Sequence, residues 1–322
     1  MVTYRCDKVT GMSDAEAPLF PVQRTVLDAL AKEPGFVPLP ATVIESVRGQ
    51  LHELVADIAA QLEPDAALWV SKNKVTTVHG CEGHYLANLG NFEWTVANVR
   101  GTIVHKAIEL AANWKGEFTP SDVVDEALDR VAADERISAA DFVDSLSDSD
   151  RAELRSGALD LYTKFEECFP PLKPAWRPVL ESSARYEMFD KRIIMSTKTD
   201  LTLGASGNKV IIDVKTGSLH PHHREELRFY ALIEALRTGL APRKLATLSL
   251  LTARIDVEDV TEGVLQAATR KTADAIRKMY ELEREKREPR LVPSTTCRWC
   301  PLAESCSTGQ EFLAQGDGAD DY

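Results

Sequence analysis

Apolar residues in the first 170 positions recur with the three- and four-residue spacing of helices. The clearest stripe begins beside a capping-box pair, Thr42 and Glu45, and comprises Val43, Val47, Leu51, Leu54, Ile58 and Leu62. The same spacing predicts further helices at 100–113, 123–131 and 147–169, the last of which stops before Pro170-Pro171. The first half of the chain is therefore predicted to be helical.

The pattern changes after Pro178, where runs rich in β-branched residues are separated by short turns. These runs predict three consecutive strands of a meander at 179–188, 191–203 and 209–214. An amphipathic helix follows at 223–238 and ends at Gly239, and a fourth strand is expected at 245–251. A long helix with a basic outer side is predicted at 264–288. Helices before and between the strands indicate an α/β fold.

Composition and charge narrow the class of protein. The chain has 322 residues, 44% of them hydrophobic, and no apolar run approaches the roughly 18 residues that a membrane span needs. Its opening residues lack the apolar stretch of a signal peptide, so we expect a cytoplasmic protein with no membrane partner. A net charge of −12 argues against a surface covered with basic patches, although nine basic residues against five acidic ones between 270 and 298 leave room for a local one.

Three of the six cysteines lie close together near the end of the chain. Cys297, Cys300 and Cys306 form a C-x2-C-x5-C pattern, whereas Cys6, Cys81 and Cys168 are isolated in sequence. In a chain without an export signal such a group is more typical of metal ligands than of disulfides. The local spacing does not separate a zinc site from an iron-sulphur cluster, since four thiolates suit both.

Two carboxylates and a lysine are predicted to converge at the end of the meander. Asp213 and Lys215 alternate along one strand and so project from the same face. Asp200 lies on the strand that the preceding turn folds back alongside. Paired hard oxygen donors suit Mg²⁺ or Mn²⁺, and an adjacent ammonium can orient a water or neutralise charge developing on a phosphate.

These residues resemble the motif of the PD-(D/E)XK nuclease superfamily, in which Asp200 and Asp213-Val214-Lys215 would be the signature. The form Asp-x-Lys-Thr-Gly, the Gly-x-x-x-His at Gly101 to His105 and a later helix carrying Tyr230 are similar to the RecB-type branch, which includes iron-sulphur CRISPR-associated exonucleases. The resemblance implies a restriction-endonuclease-like core with a mixed sheet flanked by helices. It also implies a metal held by His105, Asp200, Asp213 and the Val214 carbonyl, with Mn²⁺ favoured by the imidazole.

The same branch implies a role for the cysteines. Its members often bind a 4Fe-4S cluster through three C-terminal cysteines with this spacing and one cysteine upstream of the histidine, which here would be Cys81. The resemblance therefore favours a cluster on Cys81, Cys297, Cys300 and Cys306 over zinc. Closing the long loop from Cys81 to Cys297 would fasten the two ends of the domain together.

One position departs from the family pattern. The branch commonly has Gln four residues before the helix tyrosine, where this chain has Glu226. A carboxylate cannot donate a hydrogen bond as an amide does, so we expect Glu226 either to bind a second metal or to pair with an arginine. A further family glutamate on the first core strand would be Glu181 or Glu187, and Glu181 is preferred.

The sequence as a whole predicts a metal-dependent DNA nuclease built in three parts. Residues 1–78 form a helical extension that could dock a protein partner, residues 79–306 form the nuclease domain with an acidic helical insertion at about 116–170, and residues 307–322 form a disordered tail. The resemblance favours an exonuclease acting on DNA ends or single strands in repair, recombination or phage and CRISPR processes. The alternative is a catalytically weak DNA-binding or scaffold subunit of a nuclease or helicase complex that keeps the fold.

Overall fold

The computed structural model describes residues 18–90, 93–134 and 138–316. Cys6 lies outside these residues. Within the described ranges, six strands form one sheet: β1 Leu68–Ser71, β2 Val179–Met188, β3 Ile193–Leu203, β4 Val210–Lys215, β5 Lys244–Ser249 and β6 Arg254–Asp259. The order is β1-β3-β4-β5-β6, with β2 paired to β3. Parallel pairs (β1 with β3, β4 with β5) occur beside antiparallel ones, so the predicted mixed sheet is confirmed.

Helices cover both faces of the sheet. One face packs against α2 Ala41–Gln61, α9 Pro221–Thr238 and α10 Glu262–Glu283 through buried residues such as Ile211 and Leu245. The other face packs through Ile212 and Leu248 against α1 Pro21–Leu30, α5 Val96–Ala111, α6 Pro120–Ala132, α7 Ala139–Ser145 and α8 Asp148–Cys168. The helices of the acidic insertion therefore pack on one face of this same sheet. Among the described residues, no helix is long and apolar enough to cross a bilayer.

One edge of β3 is shared by two strands. Along its other edge β3 pairs with β2 over nearly its whole length. On the shared edge, β1 pairs with β3 up to Ser196, and β4 pairs with β3 only from Leu201 onward. The parallel β1 and the antiparallel β4 therefore run toward each other and end at the same gap beside residues 197–200.

The structure differs from the expected boundaries at both ends. The segment assigned to a helical extension contains β1 and α3 Lys72–Gly80, so the division expected at residue 78 falls inside the unit that carries the sheet. β1 has only four residues, too few for an alternating pattern to reveal. Residues 307–316, expected to be a disordered tail, form α11 Ser307–Gly316. Gly309 of α11 lies against the Cys297 and Cys306 sulfurs, which explains why this segment is ordered.

Candidate active site

Three acidic residues lie side by side on three neighbouring strands. The antiparallel register of β2 and β3 places Glu181 opposite Asp200. One step beyond the Leu201–Ile212 pair, the register of β3 and β4 brings Asp200 opposite Asp213. The Val214 backbone N–H, where β4 leaves β3, donates a 2.7 Å hydrogen bond to Asp200 Oδ2. The predicted convergence of Asp200 and Asp213 at the end of β4 is thus present in the fold.

The alternation of side chains breaks at Glu181. Val179 and Ser182 of β2 line the same small cavity, although strict alternation would place them on opposite faces. Thr199 and Thr202 of β3 line it too, with Asp200 between them. The backbone of Glu181 has φ +49°, a left-handed conformation that is strained for a glutamate. This local distortion accompanies the turn of the Glu181 carboxylate toward α5.

His105, Glu181 and Asp200 form a compact group of candidate metal ligands. One ligand atom from each lies within 4.8 Å of the others. His105 Nδ1 is 3.5 Å from Glu181 Oε1 and 3.6 Å from Asp200 Oδ1. Lys198 Nζ lies 2.6 Å from the other Glu181 oxygen. The structure therefore places Glu181, expected only as an accessory residue, with His105 and Asp200, whereas Asp213 lies outside this group.

The pKa values of this group reflect buried charges in close contact. Burial favours a neutral imidazole, but the negative charges of Asp200 and Glu181 outweigh it and raise the pKa of His105 to about 9. Burial raises the pKa of Asp200 to about 6, with His105 opposing the shift and Asp213 adding to it. Burial also opposes ionisation of Glu181, but His105 and Lys198 hold its pKa below the ordinary value. The carboxylates of Asp200 and Glu181 therefore stabilise a positive charge placed between them.

Asp213 is held by two lysines. Lys215 Nζ lies 2.9 Å from Asp213 Oδ2 and 3.0 Å from Glu226 Oε2. Lys72 Nζ lies 3.2 Å from Asp213 Oδ1 and 3.5 Å from the same Glu226 oxygen. Burial opposes ionisation of Asp213, but the two ammonium groups lower its pKa. Glu226 therefore pairs with lysines, so the prediction that it could pair with an arginine is wrong.

Lys72 is the residue of this site that sequence reasoning missed. It is the first residue of α3, directly after β1, and its ammonium also lies 5.3 Å from the centre of the buried Tyr230 ring. Burial raises the pKa of Tyr230 to about 12, and Lys72 opposes this shift. Nothing in the local pattern around Lys72 marks it, because its proximity to Asp213 arises from the way β1 and β4 meet beside β3. His105, Glu181, Asp200, Asp213, Lys215, Glu226 and Lys72 are called the strand-end site below.

One buried oxygen of Asp213 has an ion-pair partner but no regular hydrogen bond. In the described part of the chain, Lys215 Nζ lies 2.9 Å from Asp213 Oδ2, and no group donates a hydrogen bond of regular geometry to this oxygen. Buried carboxylate oxygens without a donor are uncommon in folded proteins unless an ion or water occupies the place. Together with the imidazole and carboxylates of His105, Glu181 and Asp200, this is a donor set that fits a divalent metal.

The four predicted cysteines line one cavity of about 630 Å³ between α3, α10 and the C-terminal segment. Burial raises the pKa of Cys300, and the negative charges of Cys81, Cys297 and Cys306 add to this shift. Backbone N–H groups point at three of the sulfurs: Val292 at Cys81, Ser294 at Cys297 and Gly309 at Cys306, at 3.4 to 3.5 Å. We call Cys81, Cys297, Cys300 and Cys306 the cysteine site.

Ion pairs join the two chain segments that supply the cysteine site. Glu82, directly after Cys81, accepts hydrogen bonds from the Arg287 guanidinium at 2.9 and 3.1 Å. The same carboxylate accepts the Arg290 backbone N–H at 2.7 Å, and the Glu82 N–H donates to the Arg290 carbonyl. Burial opposes ionisation of Glu82, but Arg287, the largest influence, lowers its pKa. The contacts of Glu82 therefore hold Cys81 beside the C-terminal cysteines without the help of a bound metal or cluster.

The chain is similar to known proteins in sequence and in structure. A family model described as the PD-(D/E)XK nuclease superfamily matches residues 70–307, most of the chain. No curated protein matches. Among solved structures, a candidate exonuclease from Eubacterium rectale is 13% identical with a TM-score of 0.49, covering 86% of this chain and 94% of its own. SSO0001 is 12% identical (TM-score 0.32; 82% and 97% covered), and VC1899 from Vibrio cholerae is 13% identical (0.21; 65% and 55%).

Proposed function

Because the chain belongs to the PD-(D/E)XK nuclease superfamily, we propose that it is a metal-dependent DNA nuclease that hydrolyses phosphodiester bonds at DNA ends or in single strands. The observation that carries the proposal is the row Glu181–Asp200–Asp213 across three strands, with His105 and Lys215 directed at its two ends. A structural salt-bridge network needs no buried imidazole among its carboxylates.

The proposed metal ligands are His105 and Asp200, which lie together with Glu181, and Asp213 through its oxygen that lacks a regular donor, with the Val214 carbonyl as a further donor. A divalent ion bound there, Mn²⁺ or Mg²⁺, would polarise the scissile phosphate and lower the pKa of a water. Glu181, held by Lys198, lies 3.5 Å from the same His105 Nδ1 that faces Asp200, so it would contribute a further carboxylate oxygen to the ion. The mixed set of imidazole and carboxylates favours Mn²⁺.

Lys215 is the proposed catalytic cation. Its ammonium extends from the end of β4 beside Asp213, where it can orient the attacking water and stabilise the charge that develops on the phosphate. Glu226 holds this ammonium from the opposite side at 3.0 Å. Glu226 is kept in place because α9 is tied to β6 on either side of it, through Arg224 to Asp256 and Arg228 to Glu258.

For the cysteine site we propose a 4Fe-4S cluster, with zinc as the alternative. A tetrahedral zinc site with Zn–S bonds of about 2.3 Å needs sulfurs about 3.8 Å apart. In the ranges that the structure describes, no three cysteine sulfurs gather within 4.8 Å of one another, which favours the larger occupant. The backbone N–H groups directed at three sulfurs are typical second-shell donors to cluster thiolates.

The scaffold alternative rests on the contacts of Lys215. A lysine held by both Asp213 and Glu226 is less free to meet substrate than one beside a neutral glutamine. If those two carboxylates hold it permanently, the protein binds DNA without cutting it. The two possibilities differ in one measurable property, the hydrolysis of DNA.

The test is digestion of end-labelled single-stranded and double-stranded DNA with Mn²⁺. The wild type is expected to release short labelled products from DNA ends, and Lys215→Ala is expected to be inactive. Lys32→Ala is the matched control, because this exposed lysine follows α1, its ammonium lies over the Phe36 ring, and it is outside the strand-end site. Equal activity of Lys215→Ala and Lys32→Ala would refute the proposed mechanism, and no activity in any variant would favour the scaffold.

A further inference from the structure

Lys72 occupies a place in the strand-end site that the fold creates and the signature motif does not include. Ser71, the last residue of β1, caps α3 by accepting the Lys74 N–H at 3.4 Å, so β1 turns directly into the helix. Lys72 therefore lies at the end of β1, and the gap beside residues 197–200 separates it from the end of β4. Its side chain is 23% exposed, and its ammonium is directed at carboxylates.

The ammonium of Lys72 bridges two carboxylates that belong to different elements. It donates to Asp213 Oδ1 on β4 at 3.2 Å and lies 3.5 Å from Glu226 Oε2 on α9. The ammonium also lies over the face of the Tyr230 ring, 5.3 Å from the ring centre, a distance at which a cation is attracted to an aromatic ring. Asp213, Glu226 and the Tyr230 ring therefore all stabilise the positive charge of the Lys72 ammonium.

Lys72 and Glu226 contribute opposite charges to the strand-end site. Glu181, Asp200, Asp213 and Glu226 supply four negative charges, whereas Lys72, Lys215 and Lys198, which lies 2.6 Å from Glu181, supply three positive ones. Removing both Lys72 and Glu226 leaves the net charge unchanged, but removing Lys72 alone adds one uncompensated carboxylate to a largely buried site.

A pair of carboxylates such as Asp213 and Glu226 is also what a second divalent ion would need. Two-metal hydrolases hold their ions about 3.5 to 4 Å apart through shared carboxylates. Here Asp213 Oδ2 faces Lys215 and lacks a regular donor, whereas Asp213 Oδ1 is taken by Lys72. We propose that Lys72 is a positioning residue that stands in the place of a second metal ion, fixing Asp213 and Glu226 and limiting the strand-end site to one divalent cation.

This inference rests on the proposed function, and its decisive measurement is the number of ions bound, not the rate of DNA cleavage. Mn²⁺ binding to the full-length protein, with the cysteine site loaded as isolated, is measured by calorimetry and by electron paramagnetic resonance. The wild type is expected to bind one Mn²⁺ at the strand-end site. Lys72→Ala is expected to bind two, with a spin-coupled signal from the pair, while turnover on DNA falls at least tenfold because Asp213 loses its fixed position.

Two further variants make the result specific. In Lys72→Ala/Glu226→Gln the second Mn²⁺ is expected to be lost and turnover to recover at least partly, because the net charge of the site is restored. Lys74→Ala is the matched control: Lys74 lies two residues along α3 from Lys72, its ammonium is 3.9 Å from Glu283, and one Mn²⁺ with wild-type turnover is expected. If Lys72→Ala does not fold, Lys72→Met keeps the apolar part of the side chain and gives the same count.

The outcomes separate this inference from the proposed function. A single Mn²⁺ in the folded Lys72 variant overturns the inference, whether or not DNA is cut, and weaker Mn²⁺ binding together with a lower melting temperature overturns it in favour of a purely structural lysine. Two ions in Lys72→Ala and one in the double variant support it, even if the wild type cuts no DNA. In that last case the proposed function fails while the role of Lys72 stands.

Discussion

The strand-end site and the cysteine site are both assembled from distant parts of the chain, but different forces hold them. The strand-end site is positioned by strand pairing and buried ion pairs, and its carboxylates stay in place through hydrogen bonds such as Val214 N–H to Asp200. The cysteine site lies between loops, a short 3₁₀ turn at Thr295–Trp299 and α11. The comparison teaches that strand pairing and buried ion pairs hold the strand-end site, whereas the cysteine site is held mainly by the contacts of Glu82 and would gain rigidity from a bound ligand.

The largest expected effect concerns Asp200. Asp200→Asn is expected to lower turnover by about 10³-fold, the size of loss seen when one charge-stabilising group is removed from a reaction centre. Burial disfavours ionised Asp200 in the metal-free protein, so the melting temperature at neutral pH should stay the same or rise. Steady-state cleavage and thermal unfolding measure the two quantities. A large fall in melting temperature would show that the site is not preformed.

The next effect concerns the cysteine site. Cys300→Ser is expected to abolish most of the bound iron and sulphide and to make the segment after Leu291 much more sensitive to protease, while Mn²⁺ affinity at the strand-end site changes less than about twofold. Cys168→Ala, on α8 away from the cavity, is the control and should keep the iron. If the purified wild type contains zinc and no iron, the iron-sulphur cluster is rejected in favour of a zinc site.

A smaller effect distinguishes two glutamates of β2. Glu181→Gln should weaken Mn²⁺ binding by about tenfold, because Glu181 lies with His105 and Asp200 in the group of candidate ligands and the amide carries no charge. Glu187→Gln, on the same strand but 40% exposed and paired with Lys191, should bind Mn²⁺ like the wild type. Calorimetric titration of both variants checks the assignment, and equal affinities would remove Glu181 from the site.

The smallest effect is on the pH dependence of stability without metal. The pKa of His105 is raised to about 9 in the folded protein from an ordinary 6.5, so the folded state binds the extra proton between these values. Stability from this group is complete below pH 6.5 and is lost as the pH rises through 9. Thermal unfolding with chelator should show a fall in melting temperature over this range that is reduced in His105→Asn. An identical slope in the variant would contradict the charge arrangement.

The sequence alone was sufficient for contacts that depend on one strand or one helix. Asp213 and Lys215 share a face because alternate residues of any strand do, and the contact between them is present. The mixed sheet and the superfamily are confirmed. The pairing of Glu226 with lysines was not predictable, because it requires knowing that β1 ends beside β4. The direction of the Glu181 side chain depends on a left-handed backbone that local pattern does not reveal.

The shared edge of β3 has a consequence for the order of folding. Ser71 pairs with Ser196, more than a hundred residues later, and Lys72 reaches Asp213 only after that parallel pairing has formed. Closing so long a loop is slow compared with forming the meander of β2, β3 and β4. We therefore expect Asp200 and Asp213 to come together early, with the meander, and Lys72 to reach Asp213 late, when the N-terminal strand pairs with β3.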